Sequence, residues 1–516
     1  MANSFQLEYF SNKLKKYLAA AQTEDFYKLI WAVDAIQSER IEAARHYFSF
    51  PEEAATSDIR SSYFAHKWIL EDLCNEHFSI RQRKRRGNKH RYLNCTNFNT
   101  AARLVNALKS LQNAEDGIIL AKADVLDEIP KIAVKQFDWQ RGYFSKDGFY
   151  RAAFIFGGPI TQRHFHETVG VSFEQYTKIG FGIYGFFHNN HTMGPAVDLR
   201  QLEITRDEFD QVLERWSRAP HELLKLSAPL KRKYPYSQAR PSLLRQFPII
   251  ALEAQPKNYI CPLPELIAWK ITDGLYYETV GDNGDVRREI GDRFERYCEA
   301  LFLEYRSGYG VKTEYEYRIP GKNQRTPDLL LKRDCAVELI VECKFKRLTF
   351  DATFISKDNI EDTPGMGELA KGVMQIWRFI SHGRLGHLPD ETIVENPIGV
   401  VLTMDPWLVM SAKRYQVILD MASRLAADQG LDLVDADKIP IAFCSVKDLE
   451  ALLRRSNAQS LFDTFEMAAN SEYAGWHLAN LHDRATPDLN IRKEFPFHGQ
   501  FGEMLPWWPE LQQAPD

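Results

Sequence analysis

Two carboxylates and a lysine lie close together in the segment spanning residues 326–346. Asp328 follows a proline, and Glu342 and Lys344 stand two residues apart at the end of an apolar run. Carboxylate oxygens are ligands that Mg²⁺ prefers, and a lysine ammonium can position a water and offset charge on a phosphate. These residue types therefore indicate a site that binds a divalent metal and activates a water to cut a phosphodiester.

The surrounding residues predict a β-hairpin that brings these groups together. Its parts are a short apolar strand at residues 329–331, a polar turn at 332–334 and a second strand at 337–341. Side chains alternate along a strand, so Glu342 and Lys344 share a face and Cys343 points to the other. Burying such charges is costly unless they have partners or a metal. Neither carboxylate needs a shifted pKa for this role, because both act in the ionised form.

The pair Pro327-Asp328, followed by Glu342-Cys343-Lys344, resembles the motif of the PD-(D/E)XK nuclease superfamily, which has the restriction-endonuclease-like fold. The resemblance implies that Asp328 and Glu342 bind Mg²⁺ or Mn²⁺ and that Lys344 serves catalysis. It also implies an α/β fold with an αβββαβ core and a hydrolase acting on nucleic acid, most often a DNA endonuclease. A role in bacterial antiviral defence or restriction follows by the same analogy.

Helices that flank the hairpin extend the resemblance over residues 285–455. An apolar stripe at helical spacing runs through residues 290–302, and Glu295 beside it matches the family's helical glutamate. A second stripe, at residues 369–380, has Lys371, Gln375 and Arg378 on an adjacent polar face. Gln375 matches the downstream glutamine of several nuclease branches, and Lys371 and Arg378 are expected to contact nucleic acid. A strand at 398–403, a helix at 412–426 and a strand at 439–445 complete the predicted domain.

Other interpretations of the same residues stay open at this stage. Asp328 could be an ordinary turn residue after proline, and Glu342 with Lys344 could be a solvated cross-strand pair. Glu295 could be a surface helix charge. At the level of function, the alternatives are a nuclease fold that binds nucleic acid or assembles a complex without cutting, and an effector that cuts RNA.

The rest of the chain is predicted to form further domains. Residues 1–225 read as a mainly α-helical domain that could bind a trigger or a partner subunit, with helix breaks at Gly157-Gly158-Pro159 and at Gly180, Gly182 and Gly185. Residues 226–284 read as a proline-rich connector that ends in a docking helix at 263–277. Residues 456–516 read as a C-terminal helix and a tail that packs back on the body.

A basic segment inside the first domain is a candidate nucleic-acid contact. Seven of the eleven positions from 81 to 91 are lysine or arginine: Arg81, Arg83, Lys84, Arg85, Arg86, Lys89 and Arg91. Such a cluster can bind phosphates through counterion release. An exposed loop without a ligand would have the same composition.

Composition narrows the class of protein. The chain has 516 residues, 44% of them hydrophobic, and a net charge of −5, so it is expected to be globular and any nucleic-acid contact must come from local patches. Its seven cysteines lack a CxxC pair, which argues against a zinc site or a disulfide framework. With no signal peptide, apolar membrane span or P-loop motif, we expect a cytoplasmic homo-oligomer that does not bind membranes.

Overall fold

The computed structural model describes residues 2–82, 92–121, 136, 138–197, 203–253, 257–280, 283–347, 361, 365–406 and 412–508. These residues cluster into two compact units. Those before 283, together with those after 500, form unit 1, and residues 283–500 form unit 2. The protein is of mixed α/β class. Across the described ranges, no helix has the length and apolar character needed to cross a membrane.

Unit 1 is mainly α-helical, and its central helix, Thr23–Gln37, is buried along most of its length. The helices are Ala2–Ala20, Thr23–Gln37, Ile41–Arg45, Lys67–Phe78, Phe98–Ile119, Lys146–Phe156, Pro159–Val169, Phe173–Asn189, Arg206–Trp216, Pro220–Lys233, Leu243–Gln246, Glu265–Lys270, Leu275–Thr279 and Phe501–Met504. Four short strands form a sheet in the order Thr192–Met193, Tyr259–Ile260, Ile249–Ala251, Ser217–Arg218. The predicted packing of the C-terminal tail is seen at Trp507 and Trp508, which are buried in this unit against Phe181.

The stretch predicted as a connector, residues 226–284, contributes core elements to unit 1. Ile250 and Ile260 pair across two strands of its sheet and are fully buried, because the apolar segment around them cannot be left in water. The docking helix predicted at 263–277 is two short helices instead. Between them the Gly274 N–H donates to the Trp269 carbonyl, and a side chain at 274 would collide with that carbonyl at 2.7 Å.

One predicted helix break is confirmed and one is wrong. Gly157 and Gly158 separate Lys146–Phe156 from Pro159–Val169, as expected for glycines followed by a proline at the first helical position. The helix Phe173–Asn189, in contrast, runs unbroken through Gly180, Gly182 and Gly185. Gly180 serves close packing, because a Cβ there would lie 2.4 Å from the Ile271 side chain and 2.7 Å from Trp216.

Unit 2 is built on a five-stranded mixed sheet that carries the predicted hairpin. Its elements in chain order are α1 (Gly284–Glu304), β1 (Gly310–Thr313), β2 (Glu316–Ile319), β3 (Lys322–Arg325), β4 (Leu329–Arg333), β5 (Ala336–Lys344), α2 (Met366–Arg384), β6 (Thr392–Thr403), α3 (Ala412–Asp428), β7 (Ile441–Ser445), α4 (Val446–Leu453), α5 (Ala458–Ala469) and α6 (Leu478–Ala485). The strand order is β7-β6-β5-β4-β1, and β2 and β3 form a separate two-stranded sheet. Each predicted strand and helix of residues 285–455 is present, with ends shifted by a few residues.

The register of the sheet brings the candidate residues to one edge. β5, β6 and β7 are parallel, and Lys344, Thr403 and Ser445 are aligned where these strands end. β4 is antiparallel to β5 with Leu329 opposite Val341, so Asp328, directly before β4, lies at the same edge. The turn between these strands was predicted at 332–334, but Lys332 and Arg333 belong to β4 and the turn is Asp334-Cys335, where both residues have positive φ.

Both predicted apolar stripes are buried. On α1 the buried side chains are Val286, Ile290, Phe294, Tyr297, Cys298, Leu301 and Phe302. On α2 they include Leu369, Val373, Ile376, Trp377 and Ile380, in a core shared with β5, β6 and α3. The two helices therefore hold their polar faces at fixed positions relative to the sheet.

Candidate functional site

Asp328 is held in place by the strand that carries the other two residues. The backbone N–H of Cys343 donates to Asp328 Oδ2 at 2.6 Å. Thr326 and Pro327, the two residues before Asp328, are buried. The carboxylate is therefore fixed beside the end of β5, at the backbone of Cys343, which lies between Glu342 and Lys344.

Glu342 and Lys344 point to the α2 side of β5, as the alternation of side chains predicts. The Lys344 ammonium donates to Glu342 Oε1, and it also donates to Gln375 Oε1 of α2 at 3.0 Å. The Glu342 side chain is 2% exposed and that of Lys344 14%. The interpretation of this pair as solvated is therefore wrong.

The second carboxylate oxygen of Glu342 is the most unusual atom of the site. Oε2 is buried and has no hydrogen-bond partner in the part of the chain that the structure describes. Leaving a buried polar atom unpaired costs about 1–3 kcal/mol, and more for a charged one. A carboxylate oxygen in this state is suited to receive a cation.

Gly372 of α2 allows this close packing between helix and strand. A Cβ at this position would lie 3.1 Å from Lys344 Cε and 3.5 Å from Glu342 Cγ. With glycine there, the helix backbone reaches the two charged stems, and Gln375 is brought within hydrogen-bond distance of Lys344. The sequence analysis did not identify Gly372, because a glycine within an apolar helical stripe gives no signal for what it faces.

The carboxylates of the site repel one another. Burial, the charge of Glu342 and that of Glu295 raise the pKa of Asp328 well above its usual value. Burial, Glu342 and Asp292 likewise raise the pKa of Glu295 to about 7. The site therefore concentrates more negative charge than Lys344 offsets, and the raised pKa of Asp328 is a perturbation that the predicted metal-binding role does not require.

Lys344 is kept charged by this environment. Burial acts to lower the pKa of the lysine, but the adjacent Glu342 and Asp328 outweigh burial and raise that pKa above its usual value. A protonated ammonium is thus present at neutral pH. It is available to neutralise one negative charge of a ligand or to donate a hydrogen bond.

Glu314 is a further acidic residue near the site, and the sequence analysis missed it. Burial and then Glu342 raise the pKa of Glu314, although Arg325, at 3.2 Å, acts in the opposite direction. Glu314 lies in the link between β1 and β2, where no local pattern marks it. It joins the site only because β1 pairs with β4.

The remaining candidate residues fall into different surroundings. Lys371 is exposed on α2, one turn before Gln375. Arg378 is half-buried. Burial and then the charge of Arg378 lower the pKa of His382 to about 4, whereas burial raises the pKa of Tyr317 and Arg378 only partly opposes that rise. Arg81 is exposed in unit 1. The other residues of the basic segment lie outside the described residues, and they are Arg83, Lys84, Arg85, Arg86, Lys89 and Arg91.

The donor set at the edge of the sheet is compatible with a hard cation that keeps several waters. Within the described ranges no group of three or more His, Cys, Asp and Glu side chains has the arrangement of a metal site. Asp328 and Glu342 would supply two oxygen ligands, and Mg²⁺ is commonly bound by one or two carboxylates with water and substrate oxygens. The unpaired Oε2 of Glu342 fits such an ion.

No protein-family model, curated protein or solved structure matches this chain. The chemistry assigned to this edge of the sheet therefore rests on the geometry and electrostatics of its own residues.

Proposed function

We propose that unit 2 is a metal-dependent nuclease that hydrolyses phosphodiester bonds, with DNA as its substrate. One observation carries the proposal: the buried, unpaired Oε2 of Glu342 lies beside Asp328 and a charged Lys344. Two carboxylates with an unsatisfied oxygen suit a divalent cation, and a fixed ammonium beside them suits a phosphate or its attacking water. DNA is favoured because it is the usual substrate of the family that the motif resembles.

The order of elements in unit 2 supports the proposal. A helix (α1), three strands in which β4 is antiparallel to both β1 and β5, a helix (α2) and a strand parallel to β5 (β6) follow one another, with the β2–β3 hairpin inserted. This order is compatible with the αβββαβ core that the resemblance implies. Glu295 on α1 and Gln375 on α2 also lie near the charged residues of β5, as the resemblance implies.

In the proposed mechanism each residue has a defined task. Asp328 and Glu342 would hold the ion, and a bound Mg²⁺ or Mn²⁺ would supply a water of lowered pKa and offset the charge of the phosphate. Lys344 donates a hydrogen bond to the attacking water or to a phosphate oxygen. Gln375 fixes the direction of the Lys344 ammonium by accepting one of its three N–H groups. Glu295 adds to the negative potential that draws a cation to the site.

Cleavage by purified protein tests the proposal. Plasmid, single-stranded DNA and RNA are incubated with Mg²⁺ or Mn²⁺ and the wild type, Asp328→Ala, Lys344→Ala or Arg306→Ala, the last altering an exposed arginine beyond the end of α1. We expect metal-dependent cutting of DNA that falls at least about a hundredfold in the first two variants and is unchanged in the third. Cutting that survives both substitutions would refute the assignment of the site.

Metal binding gives a second readout that does not depend on turnover. An ion that binds only the folded state raises the melting temperature. We expect Mg²⁺ to raise the melting temperature of the metal-free wild type and to leave that of Asp328→Ala unchanged. Equal shifts in both proteins would place the ion elsewhere. Absence of cutting together with a wild-type shift would favour a binding platform.

A further inference from the structure

The β2–β3 hairpin, called the ribbon below, stands apart from the main sheet beside the candidate site. Its strands Glu316–Ile319 and Lys322–Arg325 pair only with each other. Its second strand ends three residues before Asp328. Because this strand ends so close to Asp328, the base of the ribbon lies near the candidate site and near a substrate bound there.

The base of the ribbon is fixed to the elements that carry the site. The Thr326 N–H donates to the Tyr315 carbonyl at 3.1 Å, and the Tyr315 N–H donates to Thr326 Oγ1 at 3.1 Å. Tyr317 is buried, and its hydroxyl is 2.7 Å from Nδ1 of His382 on α2, the helix that bears Gln375. These contacts set the position of the ribbon relative to Asp328 and Gln375.

The tip of the ribbon presents cations that the protein leaves unneutralised. The turn is Pro320-Gly321, and Gly321 has a φ of 85°, as a tight turn with proline before glycine requires. Arg318 and Lys322 flank this turn and are exposed. Among the described residues, neither the Arg318 side chain nor the Lys322 side chain has an ion-pair or hydrogen-bond partner.

The base of the ribbon differs in charge from its tip. Arg325 is paired there with Glu314 at 3.2 Å and with Glu316 at 3.5 Å. Its positive charge is thus largely offset, and the two cations beside the turn are the ones available to a ligand. The acidic site lies at the base, and the positive potential lies at the tip.

We propose that the ribbon binds the phosphate backbone of duplex DNA beside the scissile bond, through Arg318 and Lys322. This inference rests on the proposed nuclease function and names the surface that holds its substrate. A two-stranded ribbon is one of the elements that the major groove admits. The six residue-to-residue steps from Lys322 to Asp328 span up to about 20 Å at about 3.3 Å per step. That distance corresponds to about six base steps at about 3.4 Å each.

Charge and surface composition favour nucleic acid over a protein partner. Protein interfaces are anchored by buried aromatic or aliphatic side chains. Among the described residues of unit 2, the large exposed hydrophobic side chains are Leu385, Val434 and Trp476, and none lies on the ribbon. In a chain of net charge −5, two unpaired cations next to a carboxylate-rich site provide the local positive potential that a polyanionic substrate needs.

The test is equilibrium binding of a labelled DNA duplex to the full chain in EDTA, where no cutting occurs, from 50 to 200 mM salt. The variant is Arg318→Glu with Lys322→Glu. The matched control is Arg306→Glu with Arg492→Glu, which makes the same change in net charge at exposed arginines outside the ribbon. Each lost phosphate contact lowers the slope of log K against log salt by about 0.9. We expect the ribbon variant to lose about two from that slope and to bind at least tenfold more weakly at 50 mM, in excess of any loss in the control.

Equal binding by the ribbon variant and the control, or no duplex binding by the wild type, would overturn the inference. Should the glutamate variant melt early, Arg318→Gln with Lys322→Gln removes the charges with a milder change and is subject to the same criteria. Binding is measured without metal, so it separates the two proposals. Asp328→Ala is expected to bind the duplex at least as tightly as the wild type does while cutting nothing.

Discussion

Replacing Gly372 with alanine tests whether the contact between α2 and β5 sets the position of Lys344. The new methyl would lie 3.1 Å from Lys344 Cε, closer than a carbon–carbon contact normally allows, and 3.5 Å from Glu342 Cγ. The lysine tip must therefore move by a few tenths of an ångström, although both of its acceptors, Glu342 and Gln375, oppose that movement. A catalytic group displaced by about 1 Å can lose about a hundredfold in rate, so we expect kcat to fall about tenfold.

The melting temperature of Gly372→Ala should change little, in contrast to its kcat. Alanine is favoured over glycine within a helix by about 0.5–1 kcal/mol, which offsets the strain of the new contact. We expect the melting temperature of Gly372→Ala to stay within a few degrees of the wild type while kcat falls. Gly367→Ala on the same helix is the matched control, because a Cβ there has nothing within 4 Å. If Gly372→Ala cuts DNA as fast as Gly367→Ala, the described approach of α2 to Lys344 does not govern catalysis.

Three further changes have defined outcomes. Gln375→Ala removes the 3.0 Å acceptor of Lys344, and we expect about a tenfold loss of kcat with little change in melting temperature. Asp328→Asn removes a carboxylate whose pKa is raised by burial and by Glu342. Since such a carboxylate destabilises the fold increasingly as the pH rises from its unfolded-state pKa toward its raised folded-state pKa, this variant should melt above the wild type in EDTA at pH 8 and show no such advantage near pH 4. Burial lowers the pKa of His77 to about 3, so its neutral form stabilises the fold above pH 6.5. In urea unfolding, the wild type should lose about 1.4 kcal/mol per pH unit more than His77→Phe does as the pH falls from 6.5 toward about 3, because His382 and other histidines of lowered pKa contribute to both proteins.

The sheet and helices of unit 2 could be predicted because their patterns are long enough to show a period. The stripe on α1 spans several turns, and the strand at β5 is a run of β-branched and apolar residues. The convergence of Asp328 with Glu342 and Lys344 followed from the same logic, since an antiparallel hairpin brings the start of one strand beside the end of the next.

Features that depend on tertiary contact were missed. The unit 1 strands are two or three residues long, too short to display alternation. Two of them were assigned to the helical domain of residues 1–225 and two to the connector. Gly180 was interpreted as a helix break, although its lack of a side chain accommodates Ile271 and Trp216. Nothing in the local sequence of Glu314 or Gly372 shows which charged groups they approach in space.

The electrostatics of the site argue against a purely structural role for its acidic residues. A fold gains nothing from an unpaired buried carboxylate oxygen, and the repulsion that raises the pKa of both Asp328 and Glu295 opposes folding at neutral pH. A single lysine cannot offset this charge, since its ammonium is shared between Glu342 and a neutral glutamine. A divalent cation would satisfy the free oxygen and relieve the repulsion at once. The same excess of negative charge would repel a phosphate backbone in the absence of the ion. Binding of substrate is therefore expected to depend on cations outside the site, and Arg318 and Lys322 of the ribbon are placed to supply them.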